Sequence, residues 1–293
     1  MNRGYAHPES LVSTEWLAER LEAPDLRVVD GTYYLPVQGR NAQAEYDACH
    51  IPGAVFFPLD EIADTGNPLP HMLPAPEKFS SRVRKLGLGD GNRIVIYDQH
   101  GLMSAARVWW TFKVFGHRDV AVLDGGLPKW LREGRPTEDL PPMPRERHLT
   151  ARFNNLMVRD KAQIRANIAS RREQVVDARS AGRFRGEEVE PWPGRRSGHI
   201  PGSLNLPYTD LLDPKEKTLL PADAIRAKFE AAGLDLSRPA VASCGSGVTA
   251  AVLAFALHLI GHEDVAVYDG SWAEWGLPGD TPVETSGAAA AKP

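Results

Sequence analysis

Cysteine is scarce in this chain, since only Cys49 and Cys244 occur among its 293 residues. Two cysteines are too few for a disulfide framework or for a cysteine-rich metal site. The N-terminal stretch MNRGYAHPES has no apolar segment of the kind that directs secretion. We therefore expect a cytoplasmic protein, because a reducing compartment keeps a single thiol free.

Long apolar runs and an excess of either charge are missing as well. No run reaches the roughly 18 apolar residues that a membrane-spanning helix needs. The formal net charge is −4, and charged residues make up 25% of the chain. This balance gives no general attraction to nucleic acid or to anionic membranes, so we expect neither as a partner. Any anion must then be bound by a local site.

The sequence contains two copies of one pattern. Four pairs of segments match, namely RVVDGTYY at 27–34 with QVVDARSA at 174–181, HIPGAVFFPLDEI at 50–62 with HIPGSLNLPYTDL at 199–211, RIVIYD at 93–98 with PAVASC at 239–244, and DVAVLDGGLPKW at 119–130 with DVAVYDGSWAEW at 264–275. Their order is kept, and the offset stays between 145 and 149 residues. We interpret the pattern as a duplicated domain of about 120–130 residues, a period too long for a solenoid.

Short β-branched runs alternate with amphipathic helical runs in each copy. In the first copy RVVD, AVFF, RIVIY and DVAVLD are typical of buried strands. Helical runs are STEWLAERL, which Ser13 caps, and APEKFSSRVRKLG, which the second copy repeats as PADAIRAKFEAAG. This alternation predicts an α/β fold with a mostly parallel sheet covered on both faces.

The predicted domains are an N-terminal unit over residues 8–133 and a C-terminal unit over residues 161–284. Between them, residues 134–160 contain RPTEDLPPMPRERH, whose prolines and charges disfavour both helix and strand. We interpret this segment as a linker. The low-complexity end of the chain, residues 285–293, is expected to be a flexible tail.

Cys244 lies where a small apolar strand ends and a glycine-rich loop, CGSGVT, begins. Gly245 and Gly247 allow the backbone to curl so that several N–H groups converge on one point. The next helix is expected to begin near Val248 or Thr249, and its N-terminus adds partial positive charge there. We therefore predict a loop that stabilises a thiolate or a small anion, rather than a buried structural cysteine.

Two anion chemistries fit a cysteine in such a loop. A cysteine phosphatase needs an arginine six residues after the cysteine to clamp phosphate, and this position is Ala250. Sulfur transfer needs only room for one more sulfur atom, held as a persulfide. The residues therefore favour sulfur transfer.

The motifs CGSGVTA at 244–250, HIPG in both halves, YDGSWAEW at 268–275 and DARSAGRF at 177–184 resemble those of the two-domain rhodanese-like sulfurtransferases. The resemblance extends from about Leu11 to Val283 and implies two tandem rhodanese-like domains, each an open five-stranded parallel sheet flanked by helices. Within the family, the loop is most similar to that of the 3-mercaptopyruvate sulfurtransferases. No metal or organic cofactor is implied.

Only the second copy is expected to be catalytic. The position equivalent to Cys244 in the first copy is Asp98, followed by QHGLMSAARVWW, and an aspartate cannot form a persulfide. Cys49 lies directly before HIPG in this inactive copy. We interpret it as a structural thiol.

The resemblance also implies site residues from both copies. A Ser–His–Asp proton relay would consist of Ser246, His71 and Asp60, beside the catalytic Cys244. Carried over as substrate-binding residues are Gly245, Gly247, Val248, Thr249 and Arg183, the last of which would bind the donor's carboxylate. A second arginine usually follows Glu-Pro, but here Trp192 follows Glu190 and Pro191. Arg195 or Arg196 is expected to take its place.

The implied activity moves sulfur from 3-mercaptopyruvate to Cys244 and then to a thiol acceptor, such as thioredoxin or a small thiol, or to cyanide. The implied donor is a small anion, and pyruvate is released. Gly245 and Ser246 are uncharged, whereas thiosulfate sulfurtransferases usually carry basic residues there. A thiosulfate sulfurtransferase remains the alternative enzyme, and a sulfur-carrier or regulatory module is the alternative from another class.

Overall fold

The structure is a computed structural model that describes residues 3–285. Of the predicted tail, residues 286–293 lie outside the described residues. The described chain folds as two similar α/β halves joined by an extended connection. Each half contains one five-stranded parallel sheet, which confirms the predicted fold class.

The first sheet has the strand order β1-β5-β4-β2-β3. Its strands are β1 (Leu11–Val12), β2 (Leu26–Asp30), β3 (Val55–Phe56), β4 (Arg93–Tyr97) and β5 (Val120–Leu123). The helices of this half are α1 (Thr14–Ala18), α2 (Ala42–Ala48), α3 (Leu59–Ile62), α4 (Pro76–Lys85), α5 (Ser104–Val114) and α6 (Gly126–Arg132). Short 3₁₀ turns span Pro8–Ser10 and Pro36–Gln38.

The second sheet repeats this order as β6-β10-β9-β7-β8. Its strands are β6 (Val158–Arg159), β7 (Gln174–Asp177), β8 (Leu204–Asn205), β9 (Ala240–Ser243) and β10 (Val265–Tyr268). The helices are α7 (Lys161–Ser170), α8 (Ala181–Arg185), α9 (Ala222–Ala231), α10 (Ala250–Leu259) and α11 (Ser271–Trp275), with 3₁₀ turns at Asn155–Met157 and Tyr208–Leu211.

No helix within residues 3–285 has the length and apolar character to cross a bilayer.

The predicted linker is not wholly irregular. Its last residues form the 3₁₀ turn Asn155–Met157 and the edge strand β6, which pairs in parallel with β10. Leu11–Val12 does the same in the first half, where it pairs with β5. Two-residue strands have no detectable period, and only the neighbouring strand fixes them, so the sequence pattern did not reveal either one.

The two halves share one buried apolar cluster. Helices α5 and α10 pack against each other, and the rings of Trp109 and Phe255 meet edge to face with centroids 4.8 Å apart. Nearly every residue of α10 is buried, which explains why its sequence is apolar all round rather than on one stripe. The halves are therefore packed together through their helices and are not two units on a flexible connection.

Equivalent aspartates join the halves at both ends of this interface. Asp269, after β10, accepts a hydrogen bond from the backbone N–H of Leu73 at 2.8 Å. Asp124, after β5, accepts one from the backbone N–H of Leu219, also at 2.8 Å. Because each carboxylate comes from one half and each amide from the other, the duplication produces a reciprocal pair of contacts.

The HIPG motif has a structural role in both halves. His50 Nδ1 lies 2.7 Å from the carbonyl of Tyr46, and His199 Nδ1 lies 2.7 Å from that of Phe184. The glycine that ends each motif has a positive φ, 73° at Gly53 and 72° at Gly202. The motif therefore ends a tight turn before the short strands β3 and β8, away from the chemistry of Cys244.

Asp30 generates a prediction about stability. It is fully buried at the end of β2, its Oδ1 accepts the Thr32 N–H at 2.8 Å, and its Oδ2 has no hydrogen-bond partner within residues 3–285. Burial raises the pKa of this carboxyl to about 6. The folded state therefore holds the proton to higher pH than the unfolded state does, and ionisation costs stability as pH rises from about 4 to 6. Asp30→Asn should remove that cost.

We expect Asp30→Asn to raise the free energy of unfolding by about 2–3 kcal/mol more at pH 8 than at pH 4, measured by urea unfolding. Asp177→Asn is the matched control. Its carboxylate pairs with the buried Arg179 guanidinium at 2.7 Å, so this variant should lose stability at pH 8. A pH-independent effect of Asp30→Asn would contradict the prediction.

Candidate active site

Cys244 lies at the carboxyl edge of the second sheet, directly after β9. It is buried, with 1% of its surface exposed. Its backbone N–H donates to Ser271 Oγ at 3.1 Å, and its carbonyl accepts from Trp272 N–H at 2.9 Å. Helix α10 begins at Ala250, one or two residues later than expected. The cysteine is therefore fixed by the turn that begins α11.

The Cys244 loop, residues 244–249, presents unused backbone donors. Apart from the N–H of Cys244 itself, the loop amides of residues 245–249 donate to no acceptor within residues 3–285. Gly247 has φ of 77°, a left-handed conformation that a side chain would strain. Backbone N–H groups without an internal acceptor favour an anion that approaches them. The loop geometry thus agrees with the predicted anion site.

The equivalent loop of the first half shows what such a site binds. Asp98 Oδ2 accepts the backbone N–H groups of Met103 at 2.7 Å and Ala105 at 2.8 Å, and Oδ1 accepts that of His100 at 2.9 Å. The carboxylate of Asp98 fills the site at the start of α5 from within. The first half therefore carries a carboxyl group inside its loop where the second half carries a thiol.

The cavity at Cys244 is small, about 60 Å³, and both halves line it. The first half contributes Tyr33, Leu35 and Met103, and the second half contributes Arg183, Pro191, Trp192, Cys244, Gly245, Ser246, Val248 and Thr249. Burial raises the pKa of the Tyr33 hydroxyl, so this group stays a hydrogen-bond donor at neutral pH. Of this lining, only Arg183 carries a full charge.

Arg183 is held in place by a buried acid. Its Nη2 donates to Glu190 Oε2 at 2.5 Å and its Nε to Glu190 Oε1 at 3.2 Å. Glu190 also accepts from Arg179 at 2.7 Å, and Arg179 pairs with Asp177. Arg183 Nη2 lies 3.0 Å from the point where Gly245 would carry a β-carbon. The guanidinium therefore rests on the Cys244 loop, as expected for a residue that binds the donor.

The predicted relay is only partly assembled. His71 Nε2 lies 3.2 Å from Asp60 Oδ1, and the His71 side chain is almost fully buried. Its Nδ1 has no hydrogen-bond partner within residues 3–285. Ser246 is buried in the Cys244 loop, yet no hydrogen bond joins it to His71 in the described chain. The structure thus forms the Asp60–His71 contact and leaves Nδ1 free to accept a proton.

Arg195 and Arg196 do not reach the cavity, contrary to expectation. Arg195 Nε donates to the carbonyl of Ala273 at 3.0 Å. Arg196 donates to the carbonyls of Thr281 at 2.9 Å and Trp275 at 3.0 Å. Both guanidinium groups instead bind the backbone around the end of α11, whereas Trp192 occupies the cavity wall.

Gly247, predicted to bind substrate, does not line the cavity either. Its carbonyl accepts from Arg107 Nη1 at 3.2 Å, and a β-carbon on Gly247 would lie 2.8 Å from both that nitrogen and the carbonyl of Asp269. The residue allows a close approach between the loop and α5 rather than a contact with substrate.

Sequence reasoning missed Arg107. This buried arginine of α5 donates through Nη2 to the carbonyl of His71 at 2.5 Å and forms an ion pair with Asp269 at 2.7 Å. It also binds Gly247, so one side chain of the first half touches both the His71 segment and the Cys244 loop. The available signal was a lone arginine in the otherwise apolar run SAARVWW.

One group of side chains in the described chain could be considered for a metal ion: His7, His258 and Glu263. The two imidazole rings stack with centroids 4.3 Å apart and planes 7° apart. Their in-plane lone pairs therefore run parallel and do not converge on one ion. This group also lies outside the lining of the Cys244 cavity.

Comparison with known proteins places these features in a family. The sequence profile described as Rhodanese-like domain matches residues 13–133 and 160–277. The chain is 45% identical to 3-mercaptopyruvate sulfurtransferase of Homo sapiens over 272 residues, 91% of each protein. It is 44% identical to thiosulfate sulfurtransferase of Mus musculus over 275 residues, again 91% of each.

A solved structure supports the same relationship. The crystal structure of SseA from Escherichia coli, described with the rhodanese fold and mechanism of 3-mercaptopyruvate sulfotransferases, matches with a TM-score of 0.82. The match has 38% identity and covers 90% of this chain and 99% of SseA. The structural similarity to SseA therefore extends over both halves.

The Asp98 site yields a prediction that tests anion binding by these loops. Asp98→Asn keeps the shape but removes the charge and places an N–H₂ group near donors. We expect it to lower the free energy of unfolding by about 2–4 kcal/mol in urea, because charge-assisted hydrogen bonds are lost in a buried site.

Asp235→Asn is the control, since the exposed Asp235 also accepts a loop amide, that of Ser237 at 2.9 Å. This variant should change stability by about 0.5 kcal/mol or less. Equal stability of the Asp98→Asn variant and the unmodified protein would show that the loop does not favour an anion.

Proposed function

The chain belongs to the rhodanese-like family, and we propose that it transfers the sulfur of 3-mercaptopyruvate through a persulfide on Cys244 to a thiol acceptor or cyanide, releasing pyruvate. The choice of 3-mercaptopyruvate as the donor rests on the charge of the side chains that line the cavity. Its lining contains one cation, Arg183, and the loop residues Gly245 and Ser246 are uncharged. One guanidinium matches a donor with one carboxylate.

In the first half-reaction the Cys244 thiolate attacks the sulfur of the donor. An S–S bond forms and the donor's C–S bond breaks, so its electron pair passes to the methylene carbon and gives the enolate of pyruvate. Arg183 stabilises the carboxylate next to the developing charge. The enolate takes up one proton and leaves as pyruvate.

The outer sulfur of the persulfide is the anion that the Cys244 loop receives. The amides of residues 245–249 have no other acceptor in the described chain, and they directly precede α10, where the helix dipole adds positive potential. A persulfide anion there accepts the hydrogen bonds that Asp98 accepts in the first half. No step needs an electron source or a metal.

Proton transfer to the enolate is assigned to Ser246 and His71. Asp60 orients His71 through Nε2, which leaves Nδ1 to exchange a proton with the Ser246 hydroxyl. This requires a side-chain movement once the donor is bound, since no hydrogen bond joins the two groups in the described chain.

In the second half-reaction an acceptor thiolate, or cyanide, attacks the outer sulfur. The S–S bond breaks, the acceptor carries the sulfur away, and Cys244 returns as a thiolate. We propose a cytoplasmic thiol, either thioredoxin or a small thiol, as the acceptor. The small cavity favours acceptors that present an exposed sulfur.

Thiosulfate sulfurtransferase is the second candidate, favoured by the near-equal identity to relatives that are named for thiosulfate. A carrier or regulatory module without turnover is a further alternative. The intact Cys244 loop argues against it, since a purely regulatory domain has no need of unpaired loop amides.

A persulfide test follows directly. After incubation with 3-mercaptopyruvate and without acceptor, mass spectrometry should find one added sulfur atom on the peptide containing Cys244. Cys244→Ser should abolish turnover with every donor, because no other thiol lines the cavity. Cys49→Ser is the control and should keep full activity. No added sulfur on Cys244 would favour the binding module.

Donor choice is decided by steady-state kinetics with both donors and cyanide as acceptor. The specificity constant should be at least tenfold higher for 3-mercaptopyruvate than for thiosulfate, with the parallel reciprocal plots of a ping-pong reaction. A clear preference for thiosulfate would overturn the proposed donor and leave the persulfide mechanism standing.

A further inference from the structure

Trp192 lines the cavity and lies between His71 of the first half and the Cys244 loop of the second half. Its ring meets the edge of His71 with centroids 5.8 Å apart and planes 69° apart. Its Nε1 lies 3.8 Å from the point where Gly245 would carry a β-carbon. The residue therefore contacts the first half through His71 and faces the Cys244 loop with its polar atom.

The indole N–H of Trp192 is an unused donor. It forms no hydrogen bond with any acceptor in the described chain, although it belongs to the cavity lining. Arg183 Nη2 lies 3.0 Å from the same point above Gly245. A neutral donor and a charged donor thus converge on one side of the cavity, close enough for the two oxygens of a single carboxylate to bridge them.

The acidic and basic side chains next to this pair of donors balance each other's charge. Asp177, Arg179, Glu190 and Arg183 form one chain of ion pairs, with 2.7 Å between Asp177 and Arg179, 2.7 Å between Arg179 and Glu190, and 2.5 Å between Glu190 and Arg183. Two acids and two bases leave no excess positive charge. Such a wall attracts a dianion weakly, whereas a monoanion with two oxygens gains two directed hydrogen bonds.

We propose that Trp192 is a specificity-determining residue, which binds the carboxylate of the donor through its indole N–H together with Arg183 and so selects a 2-oxo acid over thiosulfate. This inference rests on the proposed function. The ring also covers His71, so the same residue keeps water from the proton-transfer group once the donor is bound.

The test uses Trp192→Phe, which keeps an aromatic ring against His71 and removes the N–H. The KM for 3-mercaptopyruvate should rise about tenfold, because one hydrogen bond to a charged group is lost, while kcat changes by about twofold or less. The specificity constant for thiosulfate should stay within about twofold. Trp16→Phe, a substitution outside the cavity, is the matched control and should change neither donor's constants.

Pyruvate binding separates this inference from the proposed function. Isothermal titration calorimetry of the resting protein with pyruvate needs no turnover, and Trp192→Phe should weaken binding about tenfold. If the unmodified protein prefers thiosulfate but Trp192→Phe still weakens pyruvate binding, the donor assignment fails and the role of Trp192 stands. Unchanged pyruvate affinity, or an equal loss for both donors, would overturn the inference.

Discussion

The buried guanidinium of Arg107 is the contact on which the arrangement of the site depends. It leaves α5 in the first half and binds the carbonyls of His71 and Gly247 and the carboxylate of Asp269. A buried charge is costly unless it is paired and hydrogen-bonded, and here two carbonyls accept hydrogen bonds from the guanidinium while the carboxylate of Asp269 balances its charge. Because these partners belong to the His71 segment, the Cys244 loop and the turn before α11, the guanidinium fixes the relative positions of these three segments.

Duplication gives the first half, which has Asp98 where the second half has Cys244, a supporting role at the site. In the first half Asp98 occupies the loop at the start of α5 and accepts the amides of His100, Met103 and Ala105. That loop can no longer bind an external anion, and α5 is instead free to supply Arg107 to the interface. The first half also provides Tyr33, Leu35 and Met103 to the cavity. The first half thus lines part of the cavity at Cys244 and contacts the Cys244 loop through Arg107.

Local pattern was enough to predict most of the strands, the duplication and the position of Cys244 at a strand end. It was not enough for the two-residue edge strands β1 and β6, which exist only through their pairing with β5 and β10. Arg195 and Arg196 were misplaced for a related reason: a free arginine and one bound to carbonyls look alike in sequence. Arg107 was missed because its partners are 36 to 162 residues away. Contacts between residues that are far apart in the sequence, rather than local propensity, decide these features.

The Cys244 loop lacks the internal acceptor that the Asp98 loop contains. The amides of residues 245–249 have no acceptor in the described chain, whereas those of Met103 and Ala105 donate to Asp98. A fold selected only for stability would fill the loop, as the first half does with Asp98. The second half leaves it open, so the anion that completes it must arrive with the reaction. In the proposed mechanism the persulfide sulfur meets that requirement, because it forms on Cys244 itself and is removed by the acceptor.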